Sequence, residues 1–289
     1  MASAELISEV LSDNGLHHHD IRIIKSLGGG SINDVLLIGT SEGNMVLKIN
    51  TLEKLPEMFK AEADGLNALN VKDGPRIPQV ILFAEHSGYQ FLFLEYIEAG
   101  RKTRKTEIEF AQSLAQLHRH SASAFGWHRF NYMGSLKQVN ETSDSVSDFF
   151  IHQRLLPQWN IALKQFGDEL PDATFRNLLK RLPDLLPEEK PALIHGDLWG
   201  GNRITGPSGE SVLIDPAVSY SGREADLSMT QLFGGFDAGF IEAYHEVYPI
   251  EPEFENRVDL WNLYPLLVHL NLFGRGYLHQ IRLIINKFQ

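Results

Sequence analysis

The chain has 289 residues, 43% of them hydrophobic and 22% charged, ordinary values for one large domain or two lobes with a sizeable core. Its formal charge of −11 speaks against a nucleic-acid partner, which asks for a basic stripe, though a local site can be positive inside an acidic whole. There is no cysteine, which excludes disulfides, thiolate catalysis and cysteine-based zinc sites together.

The opening MASAELISEVLSDNG carries Glu5 and Glu9 and no basic region before an apolar core, so it does not read as a signal peptide. HHHD at 17–20 reads as a solvated loop, because three adjacent histidines cannot all point one way. Residues 21–27, 34–39 and 44–50 read as three short strands separated by Gly-rich or Gly/Asn turns. Residues 53–70 read as a helix with Leu55, Phe59, Leu66 and Leu69 along one stripe. Two more strands are expected at 78–85 and 89–98, around the turn at 86–88. From about residue 106 the pattern turns mostly helical, over 107–120, 147–166, 173–182 and the last fifty residues. The late apolar run 260–273 is broken by Asn262, His269 and Asn271 and is too short to span a bilayer, so the plain reading is a soluble, cytoplasmic protein with no membrane partner. The expected architecture is α+β: a small β-rich lobe with one helix over 1–96, a crossing near Glu95–Gly100, and a larger, mostly helical lobe over 97–289.

The chemistry concentrates in HGDLWGGN, residues 195–202. It is followed by two short strand patterns, RIT and SVLI, with the turn sequence GPSGE between them. Paired as an antiparallel hairpin, they bring Asn202 and Asp215 to the same open end, within reach of one ion. An amide oxygen and a carboxylate are hard ligands suited to a Mg²⁺ that also holds phosphate oxygens. Asp197 lies in the loop leading to that end, where a carboxylate can accept a hydroxyl proton as a phosphoryl group departs. An ordinary Gly-rich turn with solvated acids is the bland alternative.

Two further signals sit in the small lobe. LGGGSIND, 27–34, could wrap phosphates with backbone N–H groups, but of G-x-G-x-x-G only Gly28 and Gly30 fit and Asn33 stands at the third glycine. A plain hairpin turn explains that stretch as well. Lys48 shares a strand face with Val46 while Met45, Leu47 and Ile49 face the other way, so it needs a counter-ion or a ligand. Glu62 lies on the apolar stripe of the following helix, where a carboxylate is costly unless paired. A Lys48–Glu62 pair would aim the ammonium at nucleotide phosphates; surface charges at a lobe edge are the alternative.

Together these residues resemble the protein-kinase-like superfamily: glycine loop, strand lysine, helix glutamate, H-x-D-x-x-x-x-N and a metal aspartate. Gly196 stands where protein kinases carry Arg, and Asp215 is followed by Pro216 rather than Phe-Gly, with no long activation segment before GREADLSMTQLF. Those departures favour a small-molecule acceptor over a protein platform. More narrowly the chain resembles the fructosamine kinase (ketosamine 3-kinase) family, in GGGSIN, MFKAEADGL, LHRHSASAFGW, DFFIHQRLLPQ, LIHGDLWGGN and LIDPAVSYSGREADLSMTQLFGGF among other stretches spanning 27–274. Leu136–Lys137 replace a usual Thr-Pro, and Ser31 stands where some relatives carry Cys.

The resemblance implies a protein-kinase-like bilobal fold and ATP-dependent phosphorylation of a ketosamine 3-hydroxyl, whose product decomposes to free the amine. The acceptor would be a fructosyl, ribulosyl or erythrulosyl adduct, small or protein-bound. By position it implies Asp197 as base, Asn202 and Asp215 on Mg²⁺, and Lys48 on the phosphates with Glu62 behind it. The glycine loop contributes Gly28, Gly30, Ser31 and Asn33, and Glu95 and Ile97 offer backbone groups to adenine. Trp199 would stack on the sugar or its carrier, unless it is a core residue. Asp226 is implied to brace the catalytic loop. His269 and Asn271 are satisfied core groups on the ordinary expectation, His269 being kept as a substrate candidate. The alternatives are a kinase of another hydroxylated amine, aminoglycoside- or choline-kinase-like, and a non-catalytic nucleotide-binding module.

Overall fold

The computed structural model describes residues 3–28 and 32–288. It opens with a helix that the sequence pattern does not announce, α1 (Ala4–Asp13), capped by the Ser3 hydroxyl, which accepts from Leu6 N. Its Ile7, Val10 and Leu11 form a short i, i+3, i+4 stripe, buried against one face of the sheet with Ile38, Leu47, Phe91 and Phe93. Five antiparallel strands follow: β1 (Arg22–Ser26), β2 (Asp34–Thr40), β3 (Gly43–Thr51), β4 (Val80–His86) and β5 (Tyr89–Glu95), in the order β1-β2-β3-β5-β4.

Between β3 and β4 runs α2 (Met58–Leu69), which starts five residues later than the apolar stripe suggests. Pro56 accounts for the difference, since it disfavours a helical Leu55, and Glu57 then turns the chain with φ +59°. Strand β3 separates two apolar layers: Met45, Leu47 and Ile49 face α1, while Lys48 sits on the opposite face with Leu92 and Leu94 of β5 and Phe59, Ala63 and Leu66 of α2. Lys48 is therefore buried at 6% exposure, on the face that looks toward the rest of the chain.

The remainder is mostly helical. Helix α3 (Arg104–His118) starts at a reciprocal Thr103–Thr106 capping box. A short hairpin, β6 (Asn131–Met133) with β7 (Leu136–Gln138), precedes α4 (Val146–Phe149), a π-helical turn (Phe150–Leu155) and α5 (Leu156–Phe166), which the sequence pattern merges into one helix. Helix α6 (Asp172–Leu185) and the two last long helices, α9 (Phe254–Phe273) and α10 (Leu278–Lys287), close a core around Trp159 and Trp261. The Trp159 ring stacks on Phe175 at 3.8 Å between centroids, and its indole N–H donates to Asp172. Helix α8 (Phe240–Val247) packs against α3 in a cluster that continues into α2, and α7 (Glu224–Leu232) packs against α9.

Two small ladders position the motif residues. Strand β8 (Ala192–Ile194) pairs with β11 (Ser219–Ser221), and β9 (Arg203–Thr205) pairs with β10 (Ser211–Leu213). The loop from β8 to β9 carries 195–202, and the segment from β10 to β11 carries 214–218. They are stitched together where they meet, by Ala217 N donating to His195 O and Ile214 N donating to Asn202 O. No helix of the described residues is long and apolar enough to cross a membrane.

Candidate active site

The RIT and SVLI segments do pair as an antiparallel hairpin, Arg203 opposite Leu213, and Asn202 and Asp215 leave it at the same end. Lys48 reaches that end from β3. Its ammonium donates to Glu62 Oε1 at 2.6 Å and to Asp215 Oδ1. Burial alone would favour the neutral amine, but the two carboxylates outweigh it and hold the Lys48 pKa above its ordinary value. Glu62, equally buried, is pushed up by desolvation and by the nearby Asp215, with Lys48 opposing both. Asp215 takes a left-handed backbone, φ +55°, a conformation that non-glycine residues adopt sparingly and that concentrates at functional sites.

The 195–202 loop is held by buried polar groups. His195 is fully buried; its Nδ1 accepts from Asp197 N, so the proton lies on Nε2, which donates to Ile214 O at 3.0 Å. Burial keeps this imidazole neutral by pushing its pKa down. Asp226 accepts from His195 N at 2.7 Å, from Gly196 N at 2.9 Å and from His118 Nε2 at 3.2 Å. Burial opposes its ionisation, yet these donors hold its carboxyl below the usual range. Gly196 has φ +82°, and a Cβ there would lie 2.1 Å from Ala217 O, so no side chain fits where protein kinases carry Arg.

Asn202 turns its amide N–H groups to Asp197, 2.9 Å from the backbone O and 2.8 Å from Oδ2. Among the described residues its Oδ1 accepts no side-chain hydrogen bond, and it stands beside Asp215. Asp197 is half-buried, and burial pushes its carboxyl up to about 7, with Asn202 opposing and the charges of Asp215 and Asp226 adding to the rise. A two-oxygen donor set of this kind fits Mg²⁺, which keeps several waters and substrate oxygens rather than a full protein cage. Among the described residues no group of three or more His, Cys, Asp or Glu forms such a cage.

Two cavities meet at these residues. The larger, about 570 Å³, runs from Gly28 and Val46 to Glu95 and Ile97 at the crossing; the smaller, about 230 Å³, lies between Met58, β6 and α9. Asn33, Lys48, Trp199, Asn202 and Asp215 line both, whereas Asp197 and His269 line only the smaller. Ile97 faces the larger cavity. The Glu95 N–H is spent on Gln79 O and its carboxylate on Arg76, so an N–H from Glu95 is not on offer to a ligand. Gly30 and Ser31 lie outside the described residues.

Trp199 is 37% exposed and folds its indole over Gly201, where a Cβ would come within 2.2 Å of the ring. Its edge meets Phe233, which packs on His269 at 4.6 Å between centroids. The His269 Nδ1–H donates to Pro265 O, leaving Nε2 as an acceptor, and burial pushes its pKa down. Asn271 instead donates to Gln158 in the core and does not line either cavity. Of HHHD, His17 and His19 are exposed and His18 lies 3.6 Å from Glu42. Sequence reasoning passes over Asn50, whose amide donates to Asn33 Oδ1 at 2.5 Å, and the β6 residues Asn131, Tyr132 and Met133 that wall the smaller cavity.

A buried Lys–Glu pair under a five-stranded sheet, facing an H-x-D-x-x-x-x-N loop and an aspartate after a short hairpin, defines a kinase-like, bilobal α+β protein. The chain belongs to the fructosamine kinase family, whose model matches residues 3–289. It is 38% identical over 266 residues to a protein of Synechocystis sp. named as a probable ketoamine kinase, covering 91% of this chain and 89% of the relative. To an Arabidopsis thaliana chloroplastic protein named protein-ribulosamine 3-kinase it is 34% identical over 270 residues, 92% of this chain and 82% of the relative. Among solved structures, one named as a putative fructosamine-3-kinase of Haemophilus somnus superposes with a TM-score of 0.87 at 27% identity, over 98% of this chain and 96% of that one. The aminoglycoside phosphotransferase APH(4)-Ia follows at 0.61 and 14% identity, covering 99% of each chain, a likeness of fold alone.

Proposed function

We propose that this protein transfers the γ-phosphoryl group of ATP to the 3-hydroxyl of a ketosamine, with Mg²⁺. On this reading residues 1–96 form the nucleotide lobe and residues 97–289 carry the catalytic and acceptor-binding groups. The observation that carries it is the division of the two cavities: the nucleotide candidates Lys48, Asn202 and Asp215 line both, and the candidate base Asp197 lines only the smaller. Phosphoryl transfer needs that arrangement, with phosphates at the junction and the base on the acceptor side alone.

The adenine would lie in the larger cavity, with the Ile97 backbone at its edge and Gly28 and Asn33 on its wall. Lys48, kept charged by Glu62 and Asp215, binds phosphate oxygens. Asn202 Oδ1 and Asp215 would hold Mg²⁺, which when bound neutralises charge that builds on the phosphates. Asp197 accepts the proton of the 3-hydroxyl while that oxygen bonds to the γ-phosphorus and the bond to ADP breaks, its electron pair leaving with ADP. The Asn202 amide holds the Asp197 carboxylate during this step. Trp199 offers an exposed face to the sugar or its carrier amine, and His269 Nε2 accepts a hydroxyl hydrogen bond.

The test is Mg²⁺- and ATP-dependent turnover of synthetic ribulosyl-, fructosyl- and erythrulosyl-lysine, with aminoglycosides and choline as controls. Phosphate on the 3-hydroxyl of a ketosamine, read by ³¹P NMR, is the expected result. Turnover of a control with none of any ketosamine would overturn the acceptor assignment.

A further inference from the structure

Lys48 is gripped by two carboxylates on distant segments: Glu62 on α2 and Asp215 after β10. Something must hold those segments in one relation to each other, since a helix that drifts would carry Glu62 away. The β6–β7 hairpin and the loop before it touch both. On one side, Arg129 donates to Glu57 Oε2 at 2.6 Å and to Asp64 Oδ2, and the Tyr132 hydroxyl donates to Pro56 O at 2.9 Å. Glu57 is the N-cap of α2 and Asp64 lies in its second turn, so a single guanidinium fastens the helix at its start and again within it. On the other side, Asn131 donates to Val218 O at 2.7 Å and Gln138 to Ala217 O at 3.1 Å, within three residues of Asp215.

The hairpin is itself anchored in the helical core. Arg154 donates to Val139 O at 2.8 Å and to Asn140 Oδ1 at 2.7 Å, and the Tyr264 hydroxyl donates to Gln138 Oε1 at 2.7 Å. Direct packing completes the contact: a Cβ on Gly65 of α2 would already press on Val218 and Pro216 at 3.2 and 3.3 Å.

We propose that β6–β7 is a brace and that Arg129 is a positioning residue for the Lys48–Glu62 pair, holding α2 permanently in the orientation that nucleotide phosphates require. The proposal rests on the reading of Lys48 as a phosphate-binding residue. Arg129 is suited to the task because its planar fork presents N–H groups in fixed directions to two carboxylates at once. The Arg129 side chain is only 12% exposed, while its partners Glu57 and Asp64 are 45% and 38% exposed, so geometry rather than charge alone has to fix the helix.

The experiment uses the full chain with Arg129→Met, Arg129→Lys, Asp64→Asn, Glu62→Gln and the Arg129→Met/Glu62→Gln double variant. Affinity for Mg²⁺ and a fluorescent ATP analogue is measured without any acceptor, alongside hydrogen exchange over residues 58–69. Arg129→Met is expected to weaken binding on the order of tenfold, Arg129→Lys and Asp64→Asn less, with faster exchange in α2. Adding Arg129→Met to Glu62→Gln should cost little more, because Arg129 acts through Glu62. Independent, multiplying losses in the double variant, or a lowered Tm with unchanged affinity and α2 exchange, would overturn the proposal. Should Arg129→Met not fold, Asp64→Asn combined with Glu62→Gln makes the same comparison. Failure to turn over any ketosamine would count against the proposed function and not against the brace, since the brace is read from nucleotide binding.

Discussion

The Asn202 amide donates to Asp197 Oδ2 over 2.8 Å, so the residue placed for the metal also fixes the residue placed as the base. The two roles can be separated by mutation. Asp197→Asn removes the proton acceptor and leaves Lys48, Asn202 and Asp215 in place. Turnover should fall by roughly 10²- to 10⁴-fold, the span of general-base contributions, with nucleotide affinity near wild type. Asn202→Ala should lower both, because it removes the proposed metal ligand and frees the proposed base. Steady-state kcat and a nucleotide titration check the pair; an Asp197→Asn enzyme with wild-type turnover would end its role as base.

Gly196 answers for the missing arginine. With φ +82° and Ala217 O at 2.1 Å from a Cβ, Gly196→Ala forces either the loop or the segment after Asp215 to move. The cost expected is about 2–4 kcal/mol, strain in a left-handed backbone plus a backbone clash. A thermal melt should show it as a lowered Tm, accompanied by loss of turnover as the ladder bond from Ala217 N to His195 O is disturbed. An unchanged Tm would mean that the loop is not held tightly against Ala217.

The Trp-Gly-Gly tail has one physical explanation at each glycine. Gly200 packs against Gly234 and Gly235, and Gly201 makes room for the Trp199 ring. Gly201→Ala should therefore displace the indole and reproduce Trp199→Ala: the acceptor KM rises about tenfold, the ATP KM by less, from loss of an aromatic contact worth roughly 1 kcal/mol or more. In the Trp199→Ala background the alanine at 201 should add nothing. Additive effects would show that Gly201 serves some purpose other than seating Trp199.

The site was legible in the sequence where its chemistry is local. Asp197, Asn202 and Asp215 lie within nineteen residues around one turn sequence, and Lys48 betrayed itself as a charge inside an apolar strand. The five strands and α2 were legible for the same reason: period-2 and period-3.6 patterns are read within a window. What could not be read depends on partners far along the chain. Arg129 is an unremarked arginine until Asp64 and Glu57 are beside it, and Asn131 and Gln138 lie in a stretch to which the sequence pattern assigns no element, unremarked until the Val218 and Ala217 carbonyls meet them. Helix α1 is different, since Ser3 and the Ile7–Val10–Leu11 stripe were in view; with only three buried positions its periodicity is too short to stand out. That the Glu95 N–H is spent on the Gln79 carbonyl is likewise announced by no pattern along β5.

Asp226 offers a pH signature for the loop brace. Its carboxyl is buried, faces His118 and His195, and accepts from the backbone N–H groups of His195 and Gly196. Its folded pKa lies below the ordinary aspartate value of 3.8. A carboxyl depressed on folding contributes stability that is fully present above its unfolded value and disappears as pH falls through the folded one. Asp226→Asn has no such proton to bind; its amide can accept one of the two backbone N–H groups and opposes the other with its own. The variant should be less stable than wild type by about 3 kcal/mol near neutral pH, the cost of breaking charge-assisted bonds to a buried group. In urea unfolding that gap should stay level from pH 7 to about 5 and then close below pH 4, because wild type loses the stabilisation there and the variant does not. A gap that persists undiminished at the acid end would show that the Asp226 carboxylate is not what holds His195 and Gly196 in place.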